Sequence, residues 1–202
     1  RLRTAIQETK ASNVPNDNID RAVNRGTGEL EGVSYEEVSY EGYGPGGVAI
    51  LIETLTDNRN RTVAEIRHLF SKSGGNLGEN GCVAWMFDKR GLFAIDRKAM
   101  SEEAFMDLAV ELDAEDISIE DEVFEIYSQP ESFASFREEL DKREVPLITK
   151  ELAMLPQNLI SVDPDKVPQL LRLLDALEDQ EDVQNVWANF DIDTDVLAAQ
   201  LA

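Results

Sequence analysis

The chain has 202 residues, 42% of them hydrophobic, and a formal net charge of −22. That is apolar content enough for one large or two to three small cored domains. No apolar run nears the roughly 18 residues of a membrane span, so no membrane partner is expected, and the lone Cys82 excludes an internal disulfide and suits a reducing cytoplasm.

The charge is unevenly spread. Residues 1–25 carry five basic and three acidic groups and residues 57–90 six and four, whereas residues 91–202 carry eight and 28. A polyanion is repelled by such an acidic half and can land only on the front of the molecule. Solubility is the other use of so acidic a surface.

Arg1 stands first in place of a methionine, and residues 2–11 already have helical character, so further residues are expected upstream. Residues 1–12 and 16–25 predict two short helices. Asn16 or Asp17 can cap the second, and Gly26 ends it. Helices this small cannot form a core alone. Residues 1–32 are therefore expected to be the remnant of a helical N-terminal domain with its linker, or else to dock on the next domain.

A strand is predicted over 33–43, a glycine-rich turn at 44–47, and an apolar strand over 48–56. A helix comes next, over 60–73. Val63, Ile66, Leu69 and Phe70 lie on one side of it, and Arg61, Glu65, His68 and Lys72 on the other. A glycine loop at 74–81 leads to a predicted strand over 82–87, a turn at 88–91 and a strand over 92–96. Helices near 101–112 and 133–140, with strands near 116–119, 123–127 and 146–155, complete a β-α-β-β-α-β order, the ferredoxin-like pattern. A last β-α-β has strands at 159–162 and 183–187 and a helix from about Pro164.

This order predicts a multidomain α+β protein. It has the helical N-terminal remnant plus two ferredoxin-like α/β domains, the second inserted in the first. The middle domain is discontinuous, 33–90 plus 156–195, and the inserted domain is 91–155.

Few constellations carry chemistry. Asp191, Asp193 and Asp195 imitate an EF-hand start, but Val196 and Ala202 stand where glycine and glutamate are required. The Ser-Lys-Ser-Gly-Gly run at 71–75 comes after its helix, whereas a phosphate loop precedes one. The run at 89–94 echoes an RNA-recognition motif, but Leu92 breaks the aromatic alternation. No nucleophile with a base, no metal ligand set and no cofactor is expected, and the chain reads as a non-enzyme. His68, the single histidine, is either a plain surface residue or a phosphate contact. Arg59 and Arg61 flank a helix N-terminus, where they can favour an anion or pair with Glu65 and neighbouring acids.

The segment YEGYGPGGVAILIETLTDNRNRTVAEIRHLFSKSGGNLG at 40–78, with GCVAWMF at 81–87, resembles the YebC/PmpR family, which includes a mitochondrial translational activator of cytochrome oxidase. RLRTAI at 1–6, NIDRAVNRGTG at 18–28 and LLRLLDALEDQEDVQNVWAN at 170–189 extend the likeness to nearly the whole chain. The resemblance implies a helical first domain and two α/β domains. It also implies a cytoplasmic DNA-binding transcriptional regulator, mitochondrial in a eukaryote, or a ribosome-associated translation factor acting on ribosomal RNA. The family opens with a lysine-rich segment that this sequence does not carry. The expected nucleic-acid contacts are Arg1, Arg3, Lys10, Arg21, Arg25, Arg59, Arg61, His68 and Lys72. A small-molecule sensor is a further alternative from fold analogy. Oligomeric state is not legible.

Overall fold

The computed structural model describes residues 34–193, which form a mixed α+β fold. Strands β1 (Glu36–Tyr43) and β2 (Ala49–Thr56) make an antiparallel hairpin, in register from Glu36↔Thr56 to Tyr43↔Ala49. The connection turns at Pro45–Gly47, where Gly46 and Gly47 both take φ of 80°, a conformation that costs glycine little and other residues much. β2 reads as an unbroken apolar run because both its faces are covered. Ile50 and Ile52 pack toward two helices, and Ala49 and Leu51 pack into a cluster on the opposite face.

Helix α1 (Arg59–Lys72) starts where the Asn58 side chain accepts the Arg61 backbone N–H at 3.2 Å. Its buried positions, Thr62, Ile66 and Phe70, recur every four residues and so share one face. Gly74, at φ 72°, ends it, the usual task of a glycine just past a helix. The chain returns as β3 (Asn76–Leu77), beside β1. This approach is close: a Cβ on Gly42 would lie 2.7 Å from the Asn76 carbonyl and 2.8 Å from the Phe70 ring.

Two sequence expectations fail next. Residues 82–86 are not a strand but a loop ending in a 3-10 turn at Ala84–Met86. The backbone N–H groups of Gly81, Val83 and Ala84 are taken by a buried carboxylate, Glu41, and so are not available to a sheet. Nor is there a turn at 88–91. Strand β4 (Phe87–Asp96) runs straight through it, paired with β7 from Phe87↔Pro156 to Ile95↔Leu147. Polar residues and a glycine resemble turn chemistry, but on a strand they need only an exposed side and a neighbour to bond.

After β4 come α2 (Glu102–Glu111), β5 (Asp116–Ile119), β6 (Val123–Ser128), α3 (Phe133–Lys142) and β7 (Leu147–Pro156). Ser101 caps α2 through the Ala104 N–H at 3.2 Å. The sheet order is β5-β6-β4-β7, antiparallel throughout. Its core joins Phe93, Ile95, Phe124 and Ile126 to Phe105, Leu108, Phe136 and Leu140 from the two helices. Each such side chain, fully buried, contributes about 2 kcal/mol relative to exposure. Phe93 is wholly buried and stacks on Phe133 and Phe136, so it offers no ring to a nucleic acid.

The chain then gives β8 (Ile160–Ser161), α4 (Val167–Glu178), β9 (Val183–Ala188) and β10 (Phe190–Asp191). Helix α4 begins three residues later than Pro164, after a turn closed by Lys166 N–H on the Asp163 carbonyl. β9 joins β2, so the first sheet is ordered β3-β1-β2-β9. Val167, Leu170, Leu173, Leu174 and Leu177 of α4 share a core with Ile50, Ile52, Ile66 and Phe70.

Candidate nucleic-acid interface

Helix α1 carries Arg59, Arg61, Arg67 and Lys72 against one acid, Glu65. The other three helices of the described residues each hold more acids than bases. Because Thr62, Ile66 and Phe70 occupy the buried face, all four cations and His68 are left exposed. The expected contacts Arg1, Arg3, Lys10, Arg21 and Arg25 lie outside the described residues.

The four cations are not equivalent. The Arg61 guanidinium lies 2.9 Å from Asp182 and 3.1 Å from Asp57. Asp182 is buried and also accepts the Thr62 hydroxyl at 2.6 Å and the Thr56 hydroxyl at 3.2 Å. Burial alone would raise the Asp182 carboxyl, but the bonds from Thr62, Arg61 and Thr56 outweigh it and hold the group below the usual carboxylate range. Arg61 is thus the outer member of a polar knot tying the start of α1 to the start of β9. Its partner is not Glu65, which accepts the Gln180 amide at 2.7 Å instead. Carboxylates and the Asn58 cap already occupy this helix N-terminus, which leaves it little appetite for a phosphate.

Arg59, Arg67 and Lys72 form no ion pair among the described residues. Arg67 was not singled out by the sequence, whose stripe at 61, 65, 68 and 72 passed it by. His68 stands on the rim of an open groove of about 440 Å³ between α1 and α4, with Ala64, Leu69 and Ala176 in its lining. That groove is a surface furrow, whereas ligand pockets bury most of what they hold.

A second feature lies at the far end of the first sheet. Glu41 sends its carboxylate under the loop 78–86 and accepts Gly81 N–H at 2.6 Å and Val83 and Ala84 N–H at 2.8 Å each. Burial opposes the charge on Glu41, yet these three donors keep its carboxyl below the ordinary glutamate value. Above the loop stand Tyr43 and Trp85. The Tyr43 hydroxyl and the Trp85 indole N–H both donate to the Cys82 carbonyl, each at 3.2 Å. Nothing in the sequence marked Glu41 as a buried anchor, since a lone glutamate in a strand usually faces water.

The second sheet presents a different surface. The side of β6 turned from its helices carries Glu125 and Tyr127, with the Tyr127 hydroxyl donating to the Glu125 carboxylate. Burial and then that bond push the Tyr127 hydroxyl well up from its ordinary value. Arg90 at this face is held by Glu115 at 3.2 Å. Among the described residues no group of three His, Cys, Asp or Glu is arranged to hold a metal, and no helix is long and apolar enough to cross a membrane.

A family model described as "TACO1/YebC second and third domain" matches residues 35–190. A "Probable transcriptional regulatory protein" of Natranaerobius thermophilus is 52% identical over 200 residues, covering 98% of this chain and 80% of that protein. A protein of the same description from Syntrophobacter fumaroxidans is 51% identical over 198 residues, with the same two coverages. The crystal structure of a conserved hypothetical protein from Aquifex aeolicus superposes with a TM-score of 0.84 at 45% identity, covering 95% of this chain and 79% of that one.

Proposed function

Since the chain belongs to the TACO1/YebC family, we propose that it is a nucleic-acid-binding regulator of gene expression, acting on DNA as a transcriptional regulator and catalysing no reaction. The curated relatives are described as probable transcriptional regulatory proteins. The observation that carries it here is the surplus of exposed cations on α1 in a chain of net charge −22. Arg59, Arg67 and Lys72 are the working contacts, with His68 beside them, while Arg61 is chiefly structural. A phosphate backbone is held by such point charges, and the acidic second sheet keeps it to one side.

The two sheets support a division into a discontinuous unit, 33–90 plus 156–195, and an inserted unit, 91–155. Each has its own pair of helices and its own buried cluster. The order β5-β6-β4-β7 is that of a ferredoxin-like unit. A cytoplasmic location fits the unpaired Cys82.

The test is binding of promoter-length duplex DNA at several salt concentrations. The triple variant Arg59→Ala/Arg67→Ala/Lys72→Ala is expected to weaken binding and to flatten the salt slope by about 0.9 per lost phosphate contact. Arg61→Ala is expected to lower the melting temperature instead. Unchanged affinity and slope in the triple variant would remove α1 from the interface.

A ribosome-associated role is the second reading, favoured by the acidic face around Glu125 and Asp116, which suits basic ribosomal proteins. Co-sedimentation with ribosomes, lost in the same triple variant while duplex DNA goes unbound, would replace transcription with translation.

A further inference from the structure

We propose that Trp85, with Tyr43 beside it, is a stacking platform for an unpaired base of a single-stranded nucleic acid. This rests on the nucleic-acid reading above but concerns another surface and another form of the polymer.

Trp85 is 66% exposed and Tyr43 37%, and these are the two exposed aromatic side chains among the described residues. Both converge on one acceptor, the Cys82 carbonyl. With their polar tips bonded to this carbonyl, what they have left to offer is ring face and carbon edge. Exposure here is not looseness. The loop is pinned by the three bonds to the Glu41 carboxylate, by Gly78 N–H on the Glu41 carbonyl at 2.7 Å, and by the fully buried Val83. The ordering cost of presenting an aromatic ring is met on folding, which favours binding by preorganisation.

A base suits this pair better than a protein does. A protein hot spot sits in a well-packed pocket ringed by contacts that exclude water. The exposed loop positions beside Trp85 are instead Glu79, Asn80 and Gly81, and a Cβ at Gly81 would meet nothing within 4 Å. Every base has a π face, and only an unpaired one can bring it to a protein ring. Lys72 lies at the same end of the sheet, four residues before Asn76, which pairs directly with Tyr43.

The experiment uses the whole chain with a short uridine oligomer, the matching thymidine oligomer and a duplex of the same length. Trp85→Ala is expected to weaken single-strand binding about fivefold or more. Duplex affinity and melting temperature should stay unchanged. Trp85→Phe should keep most of the single-strand affinity. In a Trp187→Phe background, where Trp85 is the sole indole, the single strand should quench the fluorescence. Normal single-strand binding by Trp85→Ala overturns the platform and leaves the nucleic-acid reading standing. Failure of the unaltered chain to bind any of the three probes overturns both.

Discussion

Two buried carboxylates hold the first sheet's ends. Asp182 gathers Thr56, Thr62 and Arg61 at one end, and Glu41 gathers three backbone N–H groups at the other. Replacing Glu41 by Gln turns one accepting oxygen into an NH₂ that faces N–H donors. The expected loss is about 2 kcal/mol at neutral pH, read from urea midpoints. The pH dependence comes from the direction of the shift. Glu41 has a folded-state pKa below its ordinary value, so its stabilisation is fully present above the ordinary glutamate range and is lost as pH falls through the folded value. Glu41→Gln should therefore show a shallower loss of stability on acidification than the unaltered chain, from the ordinary glutamate range downward. These anchors were illegible in the sequence for a plain reason. Asp182 lies 121 residues from Arg61, and no local pattern distinguishes either acid from the many that face water.

At the scale of elements, legibility tracked covering. β2 and α1 were readable because each is buried much as its period announces: β2 on both faces, α1 at Ile66 and Phe70 with Val63 and Leu69 half-buried beside them, although the buried Thr62 was not among the residues read as inward. Residues 82–86 misled because Cys, Val and Ala suit a strand, while the decision belonged to a distant carboxylate competing for their N–H groups. The same end of the sheet depends on what Gly42 lacks. A methyl there would meet the Asn76 carbonyl and the Phe70 ring below 3 Å, and backbone cannot retreat cheaply. Gly42→Ala is expected to cost about 2 kcal/mol, with exchange protection lost first at Asn76 and Leu77, as hydrogen–deuterium exchange would report.

For the whole molecule, the charge asymmetry was the most legible property, since it needs only counting. The geometry of the two sheets was harder, because the strand linking them was hidden by a stretch that looks like a turn. If 91–155 is an insertion, it should be removable. Arg90 and Ala153 are direct partners across β4 and β7, so an Asn-Gly turn can join them as a two-residue hairpin in place of 91–152, leaving 153–155 to close the pairing. The shortened chain is expected to unfold in one cooperative step and to keep the near-ultraviolet signal of Trp187. A chain that does not fold would show that the two cores need each other.

Those two strands are more than a connection. Their ladder begins at Phe87 and Pro156, with Phe87 and Met154 packed against Ala49, Leu51 and Trp187 of the first sheet, and ends among Phe93 and Ile95 of the second. Met86, one step before it, accepts Gln157 N–H at 2.8 Å, which carries the pairing to the neighbour of Trp85. A doubled strand resists swivelling as a single tether does not. The paired strands therefore tie the acidic sheet directly to the loop that bears the indole.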